Sequence, residues 1–250
     1  MLSAVVITKN EEVNIGRCLS SLSFCDEIIV VDAESEDSTL AKASQFTSKL
    51  FVHPWKGYVG QRNYANSLAS HDWILSIDAD EEVSEELKAE ILELLGKVTS
   101  EAAYSISRKT IHSGRWIKHG GWYPNRLLRL FKKSKGEWRG GEVHEYWYTE
   151  SNIGILKNDL IHYSFDGIAD QVERNNHYST LGAKSLFAKQ QRFSTFRLLM
   201  KTASKFVETY FLKFGFLDGY PGFIISISAA YSVFLKWVKL WELEQHASKA

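Results

Sequence analysis

Three short apolar runs, Leu2–Thr8, Glu27–Val31 and Trp73–Ile77, constrain most strongly what this chain can fold into. Each is strand-length, rich in branched residues, and followed by a stretch with helical periodicity. Runs of this kind read as strands buried on both faces. Their alternation with helices predicts a mostly parallel sheet with right-handed crossovers and helices on both sides. The helices are expected over Ile15–Leu22, Leu40–Phe46, Gln61–Ala69 and Glu85–Leu95, with Leu50–His53 a further short strand. In open sheets of this class, ligands bind beyond the carboxyl ends of the strands. Two of the runs end there in acid, at Asp32 and Asp78.

The second of these ends is the more informative. Asp78-Ala79-Asp80-Glu81 follows a run that carries no charge. Carboxylates on alternate residues of a strand end project to one side, so Asp78 and Asp80 can share one hard divalent cation. Mg²⁺ or Mn²⁺ suits such oxygen ligands and can grip a diphosphate. The acids from Glu81 to Glu86 have a simpler reading, as the opening of the next helix around Ser84. That reading leaves Asp78 without a task.

Composition narrows the classes. An apolar content of 44% with 24% charged residues describes a folded globular chain, not a disordered one. Thirty basic and thirty acidic residues cancel, so nucleic acid is not an expected partner. Cys18 and Cys25 read as small core residues in a reducing compartment, not as a zinc site or a disulfide framework. No charged n-region or cleavage site precedes the first strand, so no signal peptide is expected. The first strand is followed by neither G-x-G-x-x-G nor a P-loop, which removes the usual support for dinucleotide or ATP binding. From Ala103 short strands (Tyr104–Arg108, Arg126–Phe131) alternate with glycine-containing loops, and from Gln171 the pattern is helical. A catalytic domain over 1–168 and a helical region over 169–250 are expected.

Several separated elements, taken in order, resemble family-2 inverting glycosyltransferases with the GT-A fold. They are Thr8-Lys9-Asn10-Glu11, Val30-Val31-Asp32 with the loop Glu34–Thr39, Gly60-Gln61-Arg62-Asn63, and Asp78-Ala79-Asp80. Asn125–Phe131, followed by Gly141-Glu142-Val143-His144-Glu145, resembles the subgroup containing lipopolysaccharide inner-core β-glucosyltransferases, as does Leu217–Phe223. The resemblance implies an α/β, Rossmann-like GT-A sheet with a helical C-terminal extension. It implies a UDP-sugar donor (UDP-glucose), a lipid-linked saccharide acceptor such as lipopolysaccharide core, and a cytoplasmic enzyme on the inner face of the cytoplasmic membrane. Nucleotide-sugar contacts then fall to Thr8, Asn10, Glu11, Asp32, Glu34, Arg62, Asp78, Arg126 and Arg129. One departure matters: many members carry two acids at the end of the second strand, and here the second place is Ala33.

By family analogy Asp80 is the best metal ligand, with Asp78 turned to ribose or a metal-bound water. His162 stands where relatives place a further metal or phosphate ligand, and reads equally as a histidine packed at a strand end. Family position makes Glu145 the general base, with His144 beside it as orienter or phosphate contact and Glu142 as second candidate. Three apart on an extended segment, Glu142 and Glu145 face opposite sides, so only one can serve. Arg126 and Arg129 are spaced alike, and one of them is expected to be structural. Trp116, Trp122 and Tyr123, with Lys118 and His119 between them, suit a phosphorylated sugar acceptor or a packed core.

In the C-terminal third, Phe196, Leu199, Met200, Ala203, Phe206, Val207 and Tyr210 recur at helical spacing among Arg197, Lys201, Lys205 and Lys213. That pattern suits a helix lying on an anionic leaflet or one packed on the catalytic domain. Pro221–Leu235 is apolar over about fifteen positions, below the roughly 20 that span a bilayer, so peripheral attachment is expected. Two other function classes remain in view. A nucleotidyltransferase would want a glycine-rich phosphate loop, and a non-catalytic carbohydrate-binding protein would leave Asp78, Asp80 and Glu145 idle.

Overall fold

Strand β1 (Leu2–Thr8) is buried along its whole length because it lies between two parallel neighbours. These are β2 (Glu27–Asp32) and β4 (Trp73–Asp78), with β3 (Leu50–Val52) beyond β2. Helices α1 (Ile15–Ser21), α2 (Thr39–Ala43) and α3 (Gly57–Leu68) make the connections between them. The structure is a computed structural model and describes residues 1–141, 145–165 and 167–247. Glu142 and His144, two of the expected catalytic residues, lie outside the described residues.

The expected parallel sheet is half of what forms. Past β4 the order continues through β8 (Asn125–Lys132), β6 (Ala103–His112), β11 (Ile153–His162) and β5 (Glu81–Val83). There β4–β8, β8–β6 and β11–β5 pair antiparallel, so the whole sheet is mixed. A separate ribbon pairs β9 (Glu137–Gly140) with β10 (Glu145–Tyr148). Alternate residues of β1 feed two cores, as the two-residue period of a strand requires. Leu2, Ala4 and Val6 pack with Ile15 and Leu19 of α1 and with Leu87 and Ile91 of α4 (Glu85–Leu95). Val5 and Ile7 pack with Ala65 of α3, Phe131 of β8, and Trp138 and Trp147 of the ribbon.

Glu81 requires a correction. Helix α4 starts behind Ser84, whose hydroxyl accepts the Leu87 N–H at 3.2 Å. Glu81 is no part of that opening; it belongs to β5, opposite His162, and its side chain is 0% exposed.

A second unit comprises the loop Thr110–Pro124 together with Ser164–Ala250. That loop contains β7 (Arg115–Trp116) and is fastened to the C-terminal helices α5 (Ile168–Ala188), α6 (Thr195–Val207) and α7 (Gly219–Ala247). The buried Asp218 carboxylate accepts the backbone N–H of Lys118 at 3.0 Å and of His119 at 2.7 Å, with His119 Nδ1 at 3.0 Å. Trp122 meets His112 edge-on at 5.7 Å and Phe165 at 6.1 Å, the packed alternative for this aromatic. Helix α7 runs 29 residues, well past the expected apolar stretch. By length and composition alone, Gly215–Ala247 is long and apolar enough to cross a membrane.

A buried carboxylate fixes the start of β2. Glu27 accepts hydrogen bonds from the Ser3 hydroxyl, the Lys49 ammonium, Ser70 N–H (2.9 Å) and Ser70 Oγ (2.7 Å). Burial alone would push its carboxyl up, but these partners outweigh it and bring it from 4.5 down to about 2. The folded-state value lies below the unfolded one, so this stabilisation is complete above the unfolded value and is lost as pH falls toward about 2. Glu27→Gln should weaken the fold at neutral pH by about 1–3 kcal/mol. Its denaturation midpoint should also fall less than that of the parent across the acid range; parallel curves would contradict this role.

Candidate active site

Buried arginines in apolar strands demand carboxylates, and the demand is met at the ends of β4 and β5. Arg129 on β8 donates to Asp78 and, at 2.8 Å, to Glu81. Arg108 on β6 reaches Glu81 at 3.4 Å. Arg62 donates to Asp78 at 2.6 Å and to the Ser76 hydroxyl at 3.2 Å. The Arg62 guanidinium also lies 4.7 Å from the ring centre of Trp138, a cation–π contact. Glu81 additionally accepts the Asp78 N–H at 2.9 Å, which fixes the backbone at the strand end. Across this lattice stands Glu145, the first residue of β10, with Oε1 3.6 Å from Arg62 Nη2. Three guanidinium groups thus face three carboxylates, drawn from the sheet, its ribbon and α3.

Burial alone would raise the Asp78 carboxyl, but Arg129, Arg62 and Arg108 outweigh it and hold the group well below the usual carboxylate range. Burial would lower Arg129, and Asp78 and Glu81 more than restore it. Each of these two groups holds the other in its charged form. Among the described residues, the buried Nε–H groups of Arg62, Arg108 and Arg129 and the hydroxyl of Thr8 have no hydrogen-bond partner. Unpaired buried polar groups are costly and uncommon, and they gather at functional sites.

Asp80 has a separate position. Its Oδ2 lies 3.1 Å from His162 Nε2, its carbonyl accepts the Tyr163 N–H at 2.9 Å, and its side chain is 13% exposed. Of the two acids expected to share one cation, Asp78 has both oxygens on guanidinium groups. Among the described residues no three His, Cys, Asp or Glu side chains cluster as a ready-made metal cage. The Asp80–His162 pair nevertheless suits a cation that takes most of its ligands from a bound diphosphate, as Mg²⁺ commonly does.

The other expected contacts divide. Arg62 is not at a helix start but in the second turn of α3, and it is buried. Arg129 is buried while Arg126 is exposed, and Arg129 is the extra residue where the β6–β8 register shifts between Leu128 and Leu130. Asp32 is fully buried and accepts Ser35 N–H at 2.8 Å as well as the Ser35 hydroxyl, so it holds its own loop. Asn10, at φ 53°, accepts Glu36 N–H at 2.9 Å and donates its N–H to Ser35 Oγ at 2.8 Å. Glu11 N–H donates to Thr39 Oγ1 at 2.8 Å, and Glu34, at φ 61°, is exposed. These residues stitch two loops together beside Thr8, which lies in register with Asp32. Sequence reasoning missed Glu81, Arg108 and Trp138 as site members. The usable signal was two arginines in inward-facing strands, which require buried counter-charges.

Residues 3–153 match the family described as Glycosyl transferase family 2. This chain belongs to that family. An uncharacterized glycosyltransferase of Rickettsia typhi is 34% identical over 97% of this chain and 87% of its own length. A lipopolysaccharide core biosynthesis glycosyltransferase of Rhizobium meliloti is 30% identical over 100% and 94%. Among solved structures, S. aureus TarS 1–349 in complex with UDP-GlcNAc is 16% identical, covers 98% of this chain and 92% of that one, and has a TM-score of 0.49. The chain is therefore a glycosyltransferase with a GT-A catalytic unit, and the nucleotidyltransferase and non-catalytic readings fall away.

In this glycosyltransferase the lattice is a structural commitment as well as a site. Glu81→Gln leaves Arg129 and Arg108 under-compensated in the interior, and chemical denaturation should show a loss of about 3–5 kcal/mol. Exposed Glu34→Gln should stay within about 0.5 kcal/mol. Similar midpoints for the two variants would show that Glu81 is no structural anchor.

Proposed function

We propose that the enzyme moves a sugar, glucose, from a UDP-sugar to a hydroxyl of a lipid-linked saccharide of the lipopolysaccharide-core kind, with inversion at the anomeric carbon. Supporting this reading most directly is Glu145, a carboxylate held 3.6 Å from a guanidinium that is itself anchored to the acidic end of β4. The relative from Rhizobium meliloti supports the acceptor class. Such an acceptor is met on the inner face of the cytoplasmic membrane, where this enzyme would act as a peripheral protein.

Glu145 accepts the proton of the acceptor hydroxyl, whose oxygen forms the new bond to the anomeric carbon as the bond to the phosphate oxygen breaks and UDP leaves. Arg62, 3.6 Å from its Oε1, orients the Glu145 carboxylate toward the acceptor hydroxyl. The cationic side of the lattice, with its unpaired N–H groups, supplies a field of the sign that a departing diphosphate requires. Thr8, Asn10, Glu11, Asp32 and Glu34 shape the nucleotide side through the stitched loops, and exposed Arg126 is available to phosphate. Asp80 and His162 would hold Mg²⁺ or Mn²⁺, which when bound supplies Lewis-acid neutralisation of the diphosphate.

Two measurements test the assignment. Glu145→Gln should lower the transfer rate by about 10²–10⁴-fold while UDP still raises the melting temperature; near-parental turnover would remove Glu145 as the base. Asp80→Asn and His162→Ala should each abolish the extra thermal stabilisation that Mn²⁺ adds to UDP binding. Persistence of that increment in both variants would place the metal elsewhere.

A further inference from the structure

Helix α6 presents its apolar face to the outside. Phe196, Leu199 and Met200 are 72%, 62% and 53% exposed, while Leu198 is the buried member of the helix. The chain then passes through a π-helical turn (Glu208–Leu212) and a 3₁₀ turn (Gly215–Asp218) into α7. Six of the ten residues from 211 to 220 are large, apolar and exposed: Phe211, Leu212, Phe214, Phe216, Leu217 and Tyr220. This tip is preformed. Rings of Phe206, Tyr210, Phe211, Phe216 and Phe223 contact one another at centroid distances of 5.1–6.2 Å. A Cβ on Gly222 would meet the Gly215 carbonyl oxygen at 1.9 Å, so the turn closes on α7 without room for a side chain. Exposed apolar surface of this extent on a folded unit marks an interaction site.

Charge selects the occupant. From residue 192 to 217 there are five cations (Arg192, Arg197, Lys201, Lys205, Lys213) and one acid, Glu208, a net of four positive charges. Lys205 and Lys213 share Glu208. Lys236 of α7 lies near Lys201 and Lys205, and its ammonium is pushed down by burial and by those two neighbours. A self-complementary dimer through this face would set like charges against each other. An anionic lipid leaflet accepts both features, apolar side chains at the headgroup–acyl boundary and ammonium groups on phosphate oxygens. Toward its C-terminal end α7 is tied to its neighbours: Trp237 and Leu240 are buried, and Lys239 bonds Asn176 and Thr180 of α5.

We propose that the outward face of α6 and the aromatic turn 211–220 form a docking surface for an anionic lipid leaflet, with Lys201, Lys205 and Lys236 meeting lipid phosphates. This deepens the reading above, and rests on it only for the benefit of docking, since a lipid-linked acceptor would be found on the same surface. The test contains neither donor nor acceptor, so its failure would leave the transferase assignment standing.

The full chain is floated with phosphatidylcholine vesicles, with and without phosphatidylglycerol, and the bound fraction is washed in alkaline carbonate. Binding is expected only with phosphatidylglycerol, weakened by salt and released by carbonate. The double variants Leu212→Glu/Phe214→Glu and Arg197→Glu/Lys201→Glu should each lose at least tenfold in bound fraction with unchanged circular dichroism. The second pair lies on the exposed side of α6, so it reports even where the first perturbs the turn. Parental binding by both variants, absence of binding to anionic vesicles, or retention through the carbonate wash would overturn the proposal. So would a dimer in sedimentation that these same substitutions dissociate.

Discussion

Two carboxylates, the partly buried Asp78 and the fully buried Glu81, and the three arginines that close on them are the interaction on which the catalytic unit depends. Taking such ions out of water costs several kcal/mol each, and only close pairing with further hydrogen bonds offsets that cost. The pairing here draws on β4, β5, β6, β8 and α3, so five elements converge on one strand end. The antiparallel half of the sheet, which nothing in a βαβ pattern requires, is joined to the parallel half by these ion pairs as well as by the β4–β8 ladder.

The same convergence gives two neighbouring acids different surroundings. Asp78 is surrounded by guanidinium groups and acts as a fixed negative centre. Asp80, two residues on, escapes them and faces an imidazole. Arg62 joins the lattice to Glu145 and so links the strand end to the ribbon that carries the proposed base. The second unit is organised differently. Its Thr110–Pro124 loop is held by Asp218 and by a backbone bond from Gly120 to the Lys213 carbonyl at 2.8 Å, while large apolar side chains such as Phe196, Leu212 and Phe214 are exposed.

Much of this was legible in the chain. Leu2–Thr8 and Glu85–Leu95 form as the apolar periodicity predicts, and the acidic end of Trp73–Ile77 does meet opposite charge, in Arg62 and Arg129. Glu81 was illegible because its partners, Arg108 and Arg129, come from strands 27 and 48 residues away, and helix-capping chemistry offered a local explanation. The bond from Ser35 N–H to Asp32 was illegible for a related reason: a carboxylate at a strand end does not announce the loop that closes on it. The orientation of α6 could not be read at all. An amphipathic pattern reports that a helix has an apolar face, and only packing decides whether that face turns inward.

The central claim is that Arg62 acts on the chemistry through Glu145. Single-turnover transfer rates of Arg62→Lys, Glu145→Gln and the double variant, each checked for folding and UDP binding, test it as a double-mutant cycle. The account predicts strong non-additivity, with the double variant no slower than Glu145→Gln alone. Losses that simply multiply would mean that the two residues serve the reaction independently and that the link between the buried lattice and the base does not exist.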